Sequence, residues 1–250
     1  MKFRTNNPVY SKLEKESYGF DSVSYEAATY GGVTKKSLYF VLLVVIGAFL
    51  GIFMLRERPG MLVNGLVIIS ITTFISAIVA FMKPDAAKIA GSIYSLLQGI
   101  LVGAISILFE TNFPGVVFTA LLGTVMVVFV VSTLYFSRIV KVNSKFMRFL
   151  LLFSISTILT YFVVFILKLI IPTVMGPLIA FSGVSILISV VMILLASLYL
   201  MFDLEQIRQV VEGGQPKNME WYVAFGLIYT IIWLYIQILR LVAIIMSRDR

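Results

Sequence analysis

The stretch WYVAFGLIYTIIWLYIQILRLVAIIM, Trp221–Met246, decides the fold. It holds one formal charge, Arg240, and no Pro. A bilayer core about 30 Å thick is crossed by roughly 20 apolar residues in a helix, so this stretch is long enough to span. Its residues Tyr222, Gly226, Tyr229, Thr230, Trp233, Gln237 and Arg240 recur at steps of three or four. On a helix they form a single stripe. Such a stripe faces other helices or a water-filled crevice rather than lipid.

Six more stretches of the same kind precede it. They are Ser37–Leu55, Met61–Met82, Ile89–Phe109, Phe113–Phe136, Phe149–Ile171 and Pro177–Phe202. Their boundaries are Arg56–Gly60, Lys83–Asp85, Glu110, Pro172 and Asp203. The short segment 172–176 predicts a tight hairpin between spans 5 and 6. None of the runs alternates polar and apolar residues, which excludes a β-barrel reading. The expected fold is therefore all-α and polytopic, with seven transmembrane helices. Residues 1–36 form a cytoplasmic N-terminal segment, 37–246 the membrane domain and 247–250 a short tail.

Composition agrees. The 250 residues are 60% apolar and 13% charged, against about 45–50% and 25% in an average soluble domain. The mean hydropathy is +1.02. No Cys and no His occur. That excludes disulfide frameworks, Cys/His metal centres and His-based nucleophilic triads. No apolar core appears before Leu38, so no cleaved secretory leader is expected. The net charge of +8 reads as a topology signal and implies no nucleic-acid partner. The N-terminal segment and loops 2–3, 4–5 and 6–7 hold 14 of the 20 Lys and Arg. The positive-inside rule then puts the N-terminus in the cytoplasm and, with seven spans of a cell-membrane protein, the C-terminus outside.

Small residues mark expected helix contacts. Span 1 carries Gly47 and Gly51, and span 3 carries Gly99 and Gly103 with Ser95 and Ser106. Small-xxx-small faces let backbones approach closely where lipid supplies no hydrophobic drive.

Polar groups at depth are few, and each costs about 2.5–3.5 kcal/mol when charged at mid-helix on insertion scales. Asp203 is read as closing span 6. It is either a helix-end charge meeting interfacial water or a carboxylate that holds a cation or proton, so it is also the candidate metal ligand. Arg240 needs a partner or a route to headgroups, and Glu110 is its natural partner. Gln98 in mid-span 3 reads as a carboxamide bonding across helices. Lys83 and Lys88 lie on the same side as Asp203, as a latch to it or as topology anchors.

These residues carry a family resemblance. The C-terminal run Phe202-Asp203, then Glu212-Gly213-Gly214-Gln215-Pro216-Lys217-Asn218-Met219-Glu220-Trp221-Tyr222, then Trp233-Leu234-Tyr235-Ile236-Gln237-Ile238-Leu239-Arg240-Leu241, resembles the Bax inhibitor-1/YccA-like membrane family in its bacterial branch. Asn7-Pro8-Val9, Lys83-Pro84, Ile93–Gly99, Gly103–Ser106, Phe109-Glu110, Pro114–Val116 and Lys145-Phe146 extend it along nearly the whole chain. The resemblance implies six outer helices around a central seventh. It also implies a pH-sensitive calcium leak channel, with calcium as the permeant ion and no resident cofactor, and stress-protective roles in eukaryotic members. In that picture two carboxylates between the last two helices gate the pore. Asp203 matches the first, and the second falls on Thr230, which is not an acid. Gln98 and Gln237 likewise stand where the branch commonly has Glu, and an amide cannot change charge near neutral pH. Glu205 and Glu220 flank the 6–7 loop as candidate assistants to Asp203 at the inner mouth.

Two functions follow. One is a cation leak gated at Asp203. The other is a non-conducting membrane factor that binds a protease or another membrane partner. An enzyme is not expected: a paired-aspartate protease needs two buried Asp, and a retinal site needs a Lys in mid-span 7.

Overall fold

Thr29 opens the first helix by accepting the backbone N–H of Gly32 at 3.0 Å, an N-cap bond that satisfies one orphan donor. From there the computed structural model, which describes residues 26–140, 142–170 and 183–248, winds through seven α-helices. They are α1 Tyr30–Glu57, α2 Pro59–Met82, α3 Ala87–Asn112, α4 Val116–Phe136, α5 Ser144–Ile170, α6 Gly183–Glu212 and α7 Met219–Arg248. Among the described residues there is no strand, only an isolated bridge between Ala27 and Pro216. The N-terminal residues 1–25 and the expected hairpin at 172–176 lie outside the described residues.

The turns follow local chemistry. Pro59 sits in the first turn of α2, where its missing N–H costs nothing. Gly115 takes φ 88° between α3 and α4, a left-handed conformation that suits a residue without Cβ. Gly214 takes φ 61° after α6. Asn143 opens α5 by accepting the Phe146 N–H at 2.9 Å.

Among the described residues, six helices are long and apolar enough to cross a membrane: Tyr30–Glu57, Val63–Met82, Pro84–Asn112, Val116–Phe136, Ser185–Glu212 and Met219–Arg248. Their outward faces carry large apolar side chains, such as Phe49, Phe53, Ile68 and Phe129, that are mostly exposed. In water such a surface would aggregate; against lipid it is the ordinary exterior.

The expected glycine faces meet each other. A Cβ on Gly47 would collide with the Leu96 carbonyl, and one on Gly99 with the Val44 carbonyl. Gly51 and Gly103 meet Ile100 and Ala48 in the same way. The matching order of these pairs makes α1 and α3 parallel neighbours, packed backbone to backbone. The last helix, α7, packs on α1, α3, α4 and α6 and touches α2. By contrast, among the described residues α5 packs mainly on α6. That leaves a gap between α5 and α7.

Candidate functional site

The gap is a cleft of about 450 Å³. Asp203 lines it, with Ser154 and Thr157 of α5, Tyr199 of α6, and Gly226, Tyr229, Thr230 and Trp233 of α7. The spacing explains the set. Tyr199 and Asp203 are four apart on α6; Gly226, Thr230 and Trp233 follow at four and three on α7. The missing side chain at 226 lets the carboxylate lie against the α7 backbone, where a Cβ would stand 3.5 Å from Asp203 Oδ1. Thr230 lines the same cleft beside this carboxylate. One of its oxygens, Oδ2, is buried and has no hydrogen-bond partner among the described residues. Around it, Ser154 Oγ and the Tyr199 hydroxyl are 2.8 Å apart, and Tyr199 packs edge-on to Trp233 at 5.9 Å. Phe81 and Tyr229 close the opposite wall at 5.1 Å.

Asp203 does not end its helix. α6 continues to Glu212, so Asp203 lies about 13 Å inside the helix end. The continuation is held by Arg208, which donates to Glu205 at 2.7 and 3.1 Å and lies 3.9 Å from Glu212. These pairs at three and four residues stabilise helix beyond the apolar run.

The two flanking acids do not join Asp203. Glu205 accepts from Arg208, from Gln209 at 3.0 Å and from the Tyr135 hydroxyl at 2.8 Å. It turns to the opposite face of α6. Glu220 is only 1% exposed and is bound by Lys36 at 2.5 Å and by the Thr29 N–H at 2.7 Å. Both charges are thus neutralised within the bundle.

The other expected pairings are also redirected. Glu110 does not meet Arg240. It accepts the N–H groups of Gly115 at 2.7 Å and Val117 at 3.0 Å. A carboxylate five and seven residues away along one chain reaches these donors at little entropic cost. Arg240 is half-buried and in no ion pair among the described residues. No latch forms from Lys83 or Lys88 to Asp203: Lys88 Nζ stands 5.4 Å from the Trp221 ring centre, and Lys83 is in no ion pair among the described residues. Gln98 is partly buried on α3. Gln237 has a buried Oε1 without a partner. The buried bond between α3 and α7 runs instead between Ser106 Oγ and the Tyr235 hydroxyl, at 2.8 Å.

Several members of these sites escape a reading of the sequence. Lys36 and Thr29 lie far along the chain from Glu220, and nothing local points to them. Ser154 and Thr157, three apart in an apolar run, are a polar face that the pattern does carry. As for the metal reading, no group of three or more acidic, His or Cys side chains forms among the described residues. Asp203 is a lone carboxylate amid hydroxyls.

A model of the Bax inhibitor 1 like family matches residues 7–247, nearly the full length, and the chain belongs to that family. No match was found among curated proteins.

Proposed function

We propose that this member of the Bax inhibitor 1 like family is a seven-span protein of the cell membrane that lets cations, calcium foremost, leak past Asp203. In this reading α5 crosses with the other six helices and completes a ring around α7. The N-terminus lies in the cytoplasm, as the distribution of Lys and Arg requires, and the C-terminus outside. The observation that carries the reading is the Asp203 carboxylate, inside a spanning helix, with one oxygen unpartnered beside a cleft lined by hydroxyls.

Hard cations take oxygen ligands. Asp203 supplies charge, and Ser154, Thr157, Tyr199, Tyr229 and Thr230 supply neutral oxygens. One carboxylate binds a divalent ion weakly, and conduction needs binding weak enough for release. Thr230 in place of a second acid, with amides at Gln98 and Gln237, leaves fewer groups to answer pH. No enzymatic step and no resident cofactor enter this reading.

A second reading makes the protein a non-conducting factor that docks on a membrane protease or another membrane protein. It is favoured by the neutralisation of Glu205 and Glu220, which leaves no ring of free acids at the inner mouth. Calcium flux in proteoliposomes separates the two. Wild type is expected to pass calcium above empty vesicles, Asp203→Asn to change the rate or its pH profile, and Gln237→Glu to raise the pH response. Absence of flux from pH 5 to 8 in wild type overturns the leak.

A further inference from the structure

A second cavity of about 690 Å³ opens where α1, α4 and α6 end, on the far side of α6 from Asp203. Its volume falls in the range of small-molecule sites. From Tyr30 at the rim to Ser37 the wall descends two turns of α1, about 10 Å. The rim is charged and aromatic, with Tyr30, Arg138, Arg208 and Glu212, while Val33, Leu204 and Leu227 line it too. That is the polarity gradient of a bilayer interface, where Tyr and Arg gather.

Three details point to an occupant. Arg138 is exposed, in no ion pair among the described residues, and held at φ 55°, a conformation that a residue with a Cβ rarely adopts. Ser37 Oγ is buried without a hydrogen-bond partner among the described residues. Glu212 is only loosely used: its side chain is 59% exposed, Arg208 is 3.9 Å away and the Tyr30 hydroxyl 3.3 Å. The lining holds two guanidinium groups and two carboxylates, counting Glu205, which Arg208 already neutralises. A bare anion would meet Glu212, and a bare cation would meet Arg138. A zwitterion satisfies both.

We infer that this cavity binds the headgroup of a zwitterionic aminophospholipid, with its phosphate at Arg138, its ammonium at Glu212 and its glycerol oxygens towards Ser37. The site is independent of the ion reading, since it uses none of the Asp203 cleft.

The test is native mass spectrometry of the full-length protein in detergent, with phosphatidylethanolamine, phosphatidylcholine and phosphatidylglycerol supplied equally. Wild type is expected to retain phosphatidylethanolamine above the other two. Arg138→Gln should lower that retention about tenfold, the scale of one lost charged hydrogen bond. Glu212→Gln should abolish the preference for phosphatidylethanolamine over phosphatidylglycerol, and Asp203→Asn should leave retention unchanged. Equal retention of the three lipids by wild type overturns the proposal, as does unaltered retention in both rim variants. Soluble phosphoethanolamine is the remaining arm: displacement at the lipid's own concentration would make the occupant a free metabolite and overturn the lipid assignment.

Discussion

The two sides of α7 handle buried charge in opposite ways. On one side lie α1 and α3, packed on each other glycine against backbone, and there the buried Glu220 is saturated by Lys36 and Thr29. Towards α5 the helices stand apart, and Asp203 keeps a bare oxygen in an open cleft. An ion pair taken out of water is tolerable only when each partner keeps its counter-charge. A lone buried carboxylate contributes nothing to stability, and its presence is an argument for function. The difference teaches which acid holds the bundle together and which is left to do something else.

The sharpest way to break this comparison is to remove the counter-charge on the tight side. Lys36→Met leaves Glu220 buried and unpaired and is expected to cost about 3–5 kcal/mol, read as a lowered unfolding midpoint in detergent. Glu220→Gln in the same background should recover most of that loss. A smaller cost belongs to the helix seam. Gly99→Leu drives a side chain into the Val44 carbonyl, and overpacking of this kind costs about 1–3 kcal/mol in the same assay. On the open side, Asp203→Asn should alter ion flux while changing stability by less than about 1 kcal/mol, because it removes a charge that no counter-charge meets and leaves the side chain's shape. Equal destabilisation by Lys36→Met and Asp203→Asn would erase the distinction.

The smallest effect is expected where the tight side meets water. Glu26 and Lys217 pair in the open, and the Lys217 hydrogen bond and charge hold the Glu26 carboxyl below its ordinary 4.5. A depressed carboxyl adds stability above its unfolded value, and that increment is lost as pH falls through the folded value. Glu26→Gln should therefore lower the midpoint slightly at pH 7, with the difference from wild type shrinking as the Glu26 carboxyl is protonated in acid.

Much of the scaffold is legible from residues alone. Apolar run lengths give the helices that pass Gly47, Gly99 and Thr230, and the small-residue spacing gives contact faces on α1 and α3, but that these faces meet each other comes from the structure. The ends are less legible. Counting residues against bilayer thickness stops the sixth helix at Asp203, yet α6 continues because Glu205, Arg208 and Glu212 pair along its next turns. The same counting starts the first helix at Ser37, whereas Thr29 caps it a residue before Tyr30. In the candidate site, Asp203 and Thr230 line one cleft. Glu205 and Glu220 stay out of it: Glu205 is held by Arg208 at helical spacing, which the sequence does signal, and Glu220 by Lys36 and Thr29, which it does not.

By itself the sequence determined that this protein is helical and belongs in a membrane. Those properties follow from composition and from the 3.6-residue period, which are local. Only the tertiary structure decided which carboxylate is neutralised and which stays bare. Lys36 and Glu220 are 184 residues apart, and whether two such charges meet depends on how every helix between them packs. The cleft at Asp203 has the same origin: it exists because α5 rests on α6 and leaves α7 uncovered, a choice made by side-chain fit between helices.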